Sequence, residues 1–398
     1  MNTHRIPPTL GSRVAGNQSL VRDLNLRAVY ELITLEAPTS RTEVARHLGL
    51  SAAAVGRIVD VLLGANLVEE GDRINQGVGR PQTMLHATSD AACIAGVSIR
   101  SRSLRAYLAD LDGTVLAATW VDRNDESPEA LARQVAETLD AMSREKGKGR
   151  PIASVTIGLS AVWNESERRV YAAPNLTILA GVDARGLFMD ALTDVLLEPA
   201  IGIDNDVNLA ALGEFATGSA VDVHDFFYLS LGSGVGGAAV VNGVVQHGAS
   251  GFAGEIGHIP IHAEGRLDRL ESFLARDPLI HFLQRHDVHL PEGSTAIEHL
   301  VPTVANQPYL VATITQMLGQ AFVSVITTLD PNLIVLGGSL GRHLTPWIDP
   351  IRDHVSHYVP ETPPITVTSL GREASLIGAL ASSQALARDV LVRRIGIG

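Results

Sequence analysis

The chain has 398 residues, 45% of them hydrophobic, and a formal net charge of −12; this is more than one ordinary domain and enough core to stand without staples. No apolar run suited to a bilayer and no signal-like N-terminus are read in it, so a cytoplasmic protein that contacts no membrane is expected. Cys93 is the only cysteine, which excludes an internal disulfide and any multi-cysteine zinc site.

Charge is unevenly spread. Residues 1–90 hold nine Arg, no Lys and nine Asp or Glu, so the remainder carries the whole deficit. Residues 1–18 read as a flexible tail. From Ser19 to Leu35 apolar residues recur at Leu20, Leu24, Ala28, Leu32 and Leu35, predicting a helix with that stripe as its buried face. Arg41 to Leu48 is a second helix, and Ala52 to Leu63 a third, burying Val55, Ile58, Val59 and Leu62. Between them Gly49 supplies a turn and Ser51 a cap, while Ala45 permits close approach, the pattern of a helix-turn-helix. Ala-x-x-x-Gly also occurs in other small helical bundles. The neighbouring segment favours DNA binding: a strand at Leu67–Glu70, a loop from Gly71 to Gly79 and a return strand at Gln82–Ala87 form a wing.

The candidate DNA contacts are Ser51, Ala52, Ala53 and Arg57 on the recognition helix, with Gly79 and Arg80 at the wing tip. Arg57 is the long donor there, able to reach a guanine edge or a phosphate. Gly79-Arg80-Pro81 would project Arg80 toward a narrow minor groove. With no net charge in this segment, affinity is expected to need a dimer.

Beyond Asp90 the pattern changes to α/β. Strands are expected at Cys93–Ile99, Leu104–Asp110, Thr114–Val121 and Ile152–Leu159, with a helix at Leu131–Met142. Strands recur at Ala200–Ile203, Phe226–Leu231, Gly236–Val241, Val244–His247 and Leu333–Leu336, giving two lobes around a cleft with ligands at the strand ends. Asp204-Asn205-Asp206-Val207-Asn208 opens a helix there, and an N-cap would use the same residues. Leu231 to Gly237 is a Gly-rich turn able to present N–H groups to phosphate, though a tight hairpin needs glycine too. In Gly251 to His258, small residues surround Glu255 and His258, whose donors and acceptors match a polyhydroxylated ligand.

In this order the motifs resemble the ROK family of bacterial sugar kinases and related transcriptional repressors. The resemblance implies an N-terminal winged helix-turn-helix, residues 19–88, followed at 89–398 by an α/β, two-lobed, actin-like (ribonuclease H-like) sugar-kinase fold, its second lobe at roughly 201–370. It assigns sugar contacts to Asn175, Asn205, Asp206, Glu255, His258 and Glu271, and vestigial nucleotide-binding positions to Gly232, Gly234, Gly236, Gly337 and Gly338. In kinase members the carboxylate at Asp206 is the base for the attacking hydroxyl.

Two departures stand beside these matches. Kinases of the family have Asp-x-Gly-Gly-Thr where this chain has Ser98, Arg100 and Ser101, which suits neither magnesium nor closely packed phosphate. Members commonly bind zinc through the His of the Gly-His pair and three cysteines, yet no Cys lies between His258 and Glu271. No metal and no cofactor are expected, and the altered turn counts against ATP; ion pairs among Glu264, Arg266, Asp268 and Arg269 are expected to hold the loop instead. The implied function is a non-enzymatic, sugar-responsive repressor of carbohydrate genes, a homodimer or homotetramer on a double-stranded operator, with a monosaccharide or sugar derivative as effector. The alternative is a ROK-type sugar kinase carrying a DNA-binding head.

Overall fold

Two serines set the helices of the N-terminal region. The Ser40 hydroxyl accepts from the Glu43 N–H while the Glu43 carboxylate accepts from the Ser40 N–H at 2.9 Å, a capping box that opens helix Arg41–Leu48. Gly49, at φ +64°, closes that helix in the left-handed region, and the Ser51 hydroxyl accepts from Ala54 N–H to open helix Ala52–Gly64. The computed structural model describes residues 18–74, 81–123, 126–171, 175–291, 293 and 296–396. It divides into two compact units, Met1–Ala91 with Ala387–Gly398, and Ala92–Leu386; the effector unit thus ends at Leu386, short of the expected 398.

In the smaller unit, helix Gln18–Glu36 precedes the two capped helices, and strand Gln82–Ala87 lies between Val68–Ile74 and the two-residue strand Thr39–Ser40, antiparallel to both. The wing strand runs beyond the expected Glu70, past an irregularity between Glu70 and Arg73. Val55, Val59 and Leu62 are buried as expected, Ile58 only half so. On the first helix the expected stripe is wrong: Leu24 and Leu35 are exposed, and Leu26, Val29, Tyr30 and Ile33 form the buried face. Residues four apart drift about 40° per step round a helix of 3.6 residues per turn, whereas the spacing i, i+3, i+4, i+7 stays on one side. Arg27 pairs with Asp389 at 2.7 Å, and Arg41 bridges Asp60 and Glu70 at 3.0 and 3.1 Å.

The larger unit is two five-stranded sheets of one topology. In the first, Cys93–Ile99 is central, antiparallel to Ser103–Asp110, which pairs with Val115–Asp122, and parallel to Ile152–Leu159, which pairs with Ile201–Asn205. In the second, Phe226–Leu231 is central, antiparallel to Val235–Val241 and then Val244–Val245, and parallel to Leu333–Gly337 and then Ile365–Val367. Ile201–Asn205 therefore belongs to the first sheet, and the second begins at Phe226 instead of near 201, because a parallel ladder to Ile152–Leu159 claims that strand. Cys93–Ile99 and Ile152–Leu159 are buried along their whole length, as central parallel strands covered on both faces must be.

Helix Pro128–Glu145, capped by Ser127, covers the first sheet with Leu131, Val135, Leu139 and Met142. Helix Pro308–Leu329 is long and apolar enough by length and composition to cross a membrane, yet Ile314, Met317, Leu318 and Phe322 lie in the core of the second sheet. Helices Asp206–Thr217 and Ala374–Gly396 cross at glycines: a Cβ on Gly378 would stand 1.7 Å from Leu209 O, and one on Gly213 2.3 Å from Ala374 O. Only glycine permits that approach.

Candidate functional site

Strand Ile201–Asn205 runs straight into helix Asp206–Thr217, so its end becomes a helix N-terminus at the sheet edge. Asn205 is the cap: its carbonyl oxygen accepts from Val207 N–H at 2.6 Å, and its amide donates to Ala161 O at 3.1 Å. Much of this expected sugar contact's hydrogen-bonding capacity therefore holds the fold. Asp204 accepts from Asn208 Nδ2 at 2.8 Å and lies 2.9 Å from His247 Nε2, a bond that raises the imidazole above its ordinary value.

Asp206 follows the cap, its carboxyl beside the Ser160 side chain. Desolvation raises its carboxyl above the usual carboxylate range, opposed by the Arg100 charge, the Ser160 side chain and the N–H groups of Val207 and Asp206 itself. Glu255, at the start of the turn Ile256–His258, is pushed up to about 7, first by burial and then by the charges of Glu271 and Asp206. Glu255, in the second lobe, thus feels the charges of two other expected sugar residues, Glu271 and Asp206. Such a carboxylate group accepts from several hydroxyls and offers nothing to an apolar guest.

His258 and Asn175 are not brought into that group by any described contact. His258 is exposed and its ring lies 5.1 Å from that of Phe252; Asn175 is exposed beside residues 172–174, which are outside the described set. The glycines around Glu255 are packed tightly. A Cβ on Gly251, at φ +80°, would meet Trp163 O at 2.2 Å, and one on Gly257 would meet Val235 O at 2.2 Å.

The glycines expected as vestigial nucleotide positions are engaged in turns and packing. Gly232 and Gly234 form the hairpin turn, with Gly232 N–H donating to Gly234 O at 3.0 Å. Glu271 reaches that turn, its Oε1 accepting from Val235 N–H at 3.4 Å and standing 2.7 Å from where a Gly234 Cβ would be. A Cβ on Gly236 would press on Val207 at 2.9 Å, so this glycine serves packing. At Gly337-Gly338, Tyr228 fills the space from beneath, its hydroxyl 1.9 Å from the Gly337 Cβ position and accepting from Gly338 N–H. In the first lobe, Ser98 is buried and Arg100 N–H closes a tight turn onto Ser103 O at 2.9 Å. The Arg100 charge bears on Asp206, and the Gly338 N–H is already taken by the Tyr228 hydroxyl.

The segment after His258 is a β-hairpin, Pro260–Ala263 with Arg266–Arg269, and no cluster of three His, Cys, Asp or Glu side chains suited to a metal occurs among the described residues. The expected ion pairs form only in part. Arg266 pairs with Asp268 and lies over Phe273 at 4.3 Å, but Glu264 pairs instead with Arg285 at 3.0 Å. Gln320 clamps the hairpin, accepting from His262 N–H at 3.0 Å and donating to His262 O at 3.1 Å.

In the smaller unit Ser51, Ala52, Ala53 and Arg57 are all exposed on or at helix Ala52–Gly64, one face of small residues with a single long cation. Gly79 and Arg80 lie outside the described residues. Sequence reasoning missed Tyr228, His247 and Ser160, whose roles arise only from tertiary contact.

The family model described as "ROK family" matches residues 94–385. A xylose repressor of Caldicellulosiruptor bescii is 25% identical over 279 residues, 68% of each chain. A glucokinase of Halalkalibacterium halodurans is 29% identical over 214 residues, 48% of this chain and 64% of its own. Among solved structures, a ROK family transcriptional regulator described as a homologue of the Escherichia coli MLC protein aligns with TM-score 0.79 at 21% identity, covering 95% of this chain and all of its own.

Proposed function

The chain belongs to the ROK family, with both transcriptional repressors and sugar kinases among its relatives, and on that premise we propose that it is a sugar-responsive DNA-binding regulator, a repressor of carbohydrate-utilisation genes whose kinase-like unit senses its effector without phosphorylating it. What supports the reading is that the charges of Asp206 and Glu271 reach Glu255, as they would in a sugar site, while the charge of Arg100, from the turn that the family resemblance assigns to metal and nucleotide phosphates in kinases, reaches Asp206. Capped helices and a wing strand in the smaller unit supply the DNA-binding head. Its partners are a double-stranded operator, a monosaccharide or sugar derivative, and a second copy of the chain, since two half-sites strengthen a weakly charged head.

Effector control requires only that the ligand bind the two states of the repressor with different affinity, by about 1–3 kcal/mol for ordinary coupling. The test joins two assays on the full chain: ATP consumption with a sugar panel, and operator binding with and without each sugar. Operator affinity that shifts with a sugar, at no ATP turnover, supports the reading. Turnover at ordinary enzyme rates would make the protein a kinase with a DNA-binding head. Arg80→Ala is expected to weaken operator binding while leaving sugar affinity intact.

A further inference from the structure

The loop that leads to Glu255 is anchored at both ends in the second lobe. Gln246 N–H donates to Ala239 O at 2.8 Å, and a Cβ on Gly254 would stand 2.6 Å from Gly237 O. Between these anchors the chain closes on itself, Ala253 N–H donating to His247 O at 3.2 Å, with Gly248 and Gly251 in left-handed conformations that other residues resist. The loop so shaped reaches the first lobe at two points. One is Gly251 against the Trp163 carbonyl. The other is the His247 ring, whose Nε2 lies 2.9 Å from Asp204 Oδ2.

Asp204 divides its two oxygens. Oδ1 accepts from Asn205 N–H at 2.7 Å and from Asn208 Nδ2 at 2.8 Å, bracing the start of helix Asp206–Thr217, while Oδ2 takes His247. One residue thus joins two sets of contacts. Through its ring His247 meets the foot of the helix that carries Asp206, and through its carbonyl it holds Ala253, two residues before Glu255. A carboxylate accepts only from a ring nitrogen that bears a proton. The charged groups that face the ring are Asp204, at the end of Ile201–Asn205, and Glu165, just after Val162–Asn164. The bond to Asp204 raises the imidazole above its ordinary value, burial opposes it, and the charges of Asp204 and Glu165 with the Val245 backbone add to the rise. Glu165 is itself held by Arg185 at 2.9 Å and by Trp163 Nε1 at 2.8 Å.

We infer that His247 is a positioning residue for the effector, its ring latching the loop of Glu255 in the second lobe onto the foot of the Asp206 helix in the first. This rests on the sugar-sensing reading above and adds to it a residue outside the expected sugar contacts. A protonated ring favours the latched form. The latch is therefore complete below the ordinary histidine value of 6.5 and is lost as pH rises through the raised one. Effector affinity falls in the same direction, because a latched loop holds Glu255 in place before the ligand arrives.

The test is calorimetric titration of the full chain with glucose, xylose and N-acetylglucosamine at pH 6 and pH 9. His247→Gln is expected to weaken the best-bound probe by about threefold to tenfold at pH 6, as loss of a part-exposed charged pair does, and by less than about twofold at pH 9. His247→Arg keeps its charge at both pH values and should bind that probe more tightly than the parent chain at pH 9. Titration of Glu255 is common to the three proteins and cancels between them. The ligand-free chain gives a second measure, the NMR titration of the His247 ring, which is expected above 6.5 in the parent and lower in Asp204→Asn. Thermal unfolding confirms that each variant folds. An equal loss at both pH values in His247→Gln, or a ring that titrates alike with and without the Asp204 charge, overturns the inference and leaves sugar sensing standing. If none of the three sugars binds or alters operator affinity, sugar sensing fails and the role of His247 with it.

Discussion

The two sheets of the larger unit share one strand order, but the turns that follow their central strands are built in opposite ways. After Cys93–Ile99 the chain turns through Arg100, Ser101 and Arg102, whose side chains need room; after Phe226–Leu231 it turns through Gly232, Ser233 and Gly234, which give room away. Ser339 Oγ and Glu271 Oε1 stand 3.1 and 2.7 Å from the missing Cβ atoms of Gly232 and Gly234. One architecture thus carries a side-chain turn in the first lobe and glycines in the second, where side chains of the same lobe stand against the turn. In the first lobe a cation stands in the turn; in the second the backbone lies tight against Glu271.

That contrast predicts its largest effect at the glycine end. Gly338→Ala places a Cβ 2.3 Å from Leu231 O at φ +80°, and a loss of about 3 kcal/mol or more is expected in denaturant unfolding. Ser101→Gly in the first turn should cost less than about 1 kcal/mol. Equal losses would mean that Gly338, packed on Leu231 at the foot of the second turn, is constrained no more than the first turn. Next in size, Asp206→Ala should weaken the effector about tenfold or more by calorimetry, while operator affinity without ligand stays as in the parent chain. Loss of ligand-free operator binding in that variant would move Asp206 from the sensor to the fold.

Titration offers a smaller effect. Glu255 rises from an ordinary 4.5 to about 7 in the folded chain, so between those values the native state holds a proton that the unfolded chain has released, and stability falls as pH rises. The penalty is complete above about 7. Discounted for the solvent that still reaches the carboxyl, it is about 1–2 kcal/mol. Glu255→Gln should therefore gain stability at pH 8, gain little at pH 5, and flatten the pH dependence of Tm between them. An unchanged slope would remove Glu255 from the carboxylate group.

Local features of this fold are plain in the sequence and long-range ones are not. Ser51 as a cap, Gly49 as a turn and the strands at Cys93–Ile99, Ile152–Leu159 and Phe226–Leu231 follow from nearest neighbours, and their bounds emerge unchanged. The first helix misled because leucines at fourfold spacing imitate a face, while Val29, Tyr30 and Ile33 hold the true one. Asp204 to Asp206 was visible as a cap and as a site, and the structure shows that Asn205 serves the first role. Arg100 near Asp206, or Tyr228 under Gly338, could not be read, because each joins residues more than a hundred positions apart in chain or sheets. Motif spacing names the candidates; only packing says which are already engaged.

The smallest effect concerns how the second lobe holds its sugar-facing side. Glu271 begins directly after the hairpin Pro260–Arg269, so whatever fixes the hairpin also places that carboxylate. Gln320 holds both backbone groups of His262 with one amide, and such exposed bonds contribute roughly 1 kcal/mol together, since water replaces each when it is lost. Gln320→Ala should lower stability by about that amount and loosen effector binding only slightly, through a wider range of Glu271 positions. A chelator added to the parent chain is predicted to change neither quantity, with Gln320, Arg266 on Phe273 and Glu264 with Arg285 all engaging the segment. A chelator-induced fall in Tm larger than that of Gln320→Ala would show that the hairpin depends on a metal after all.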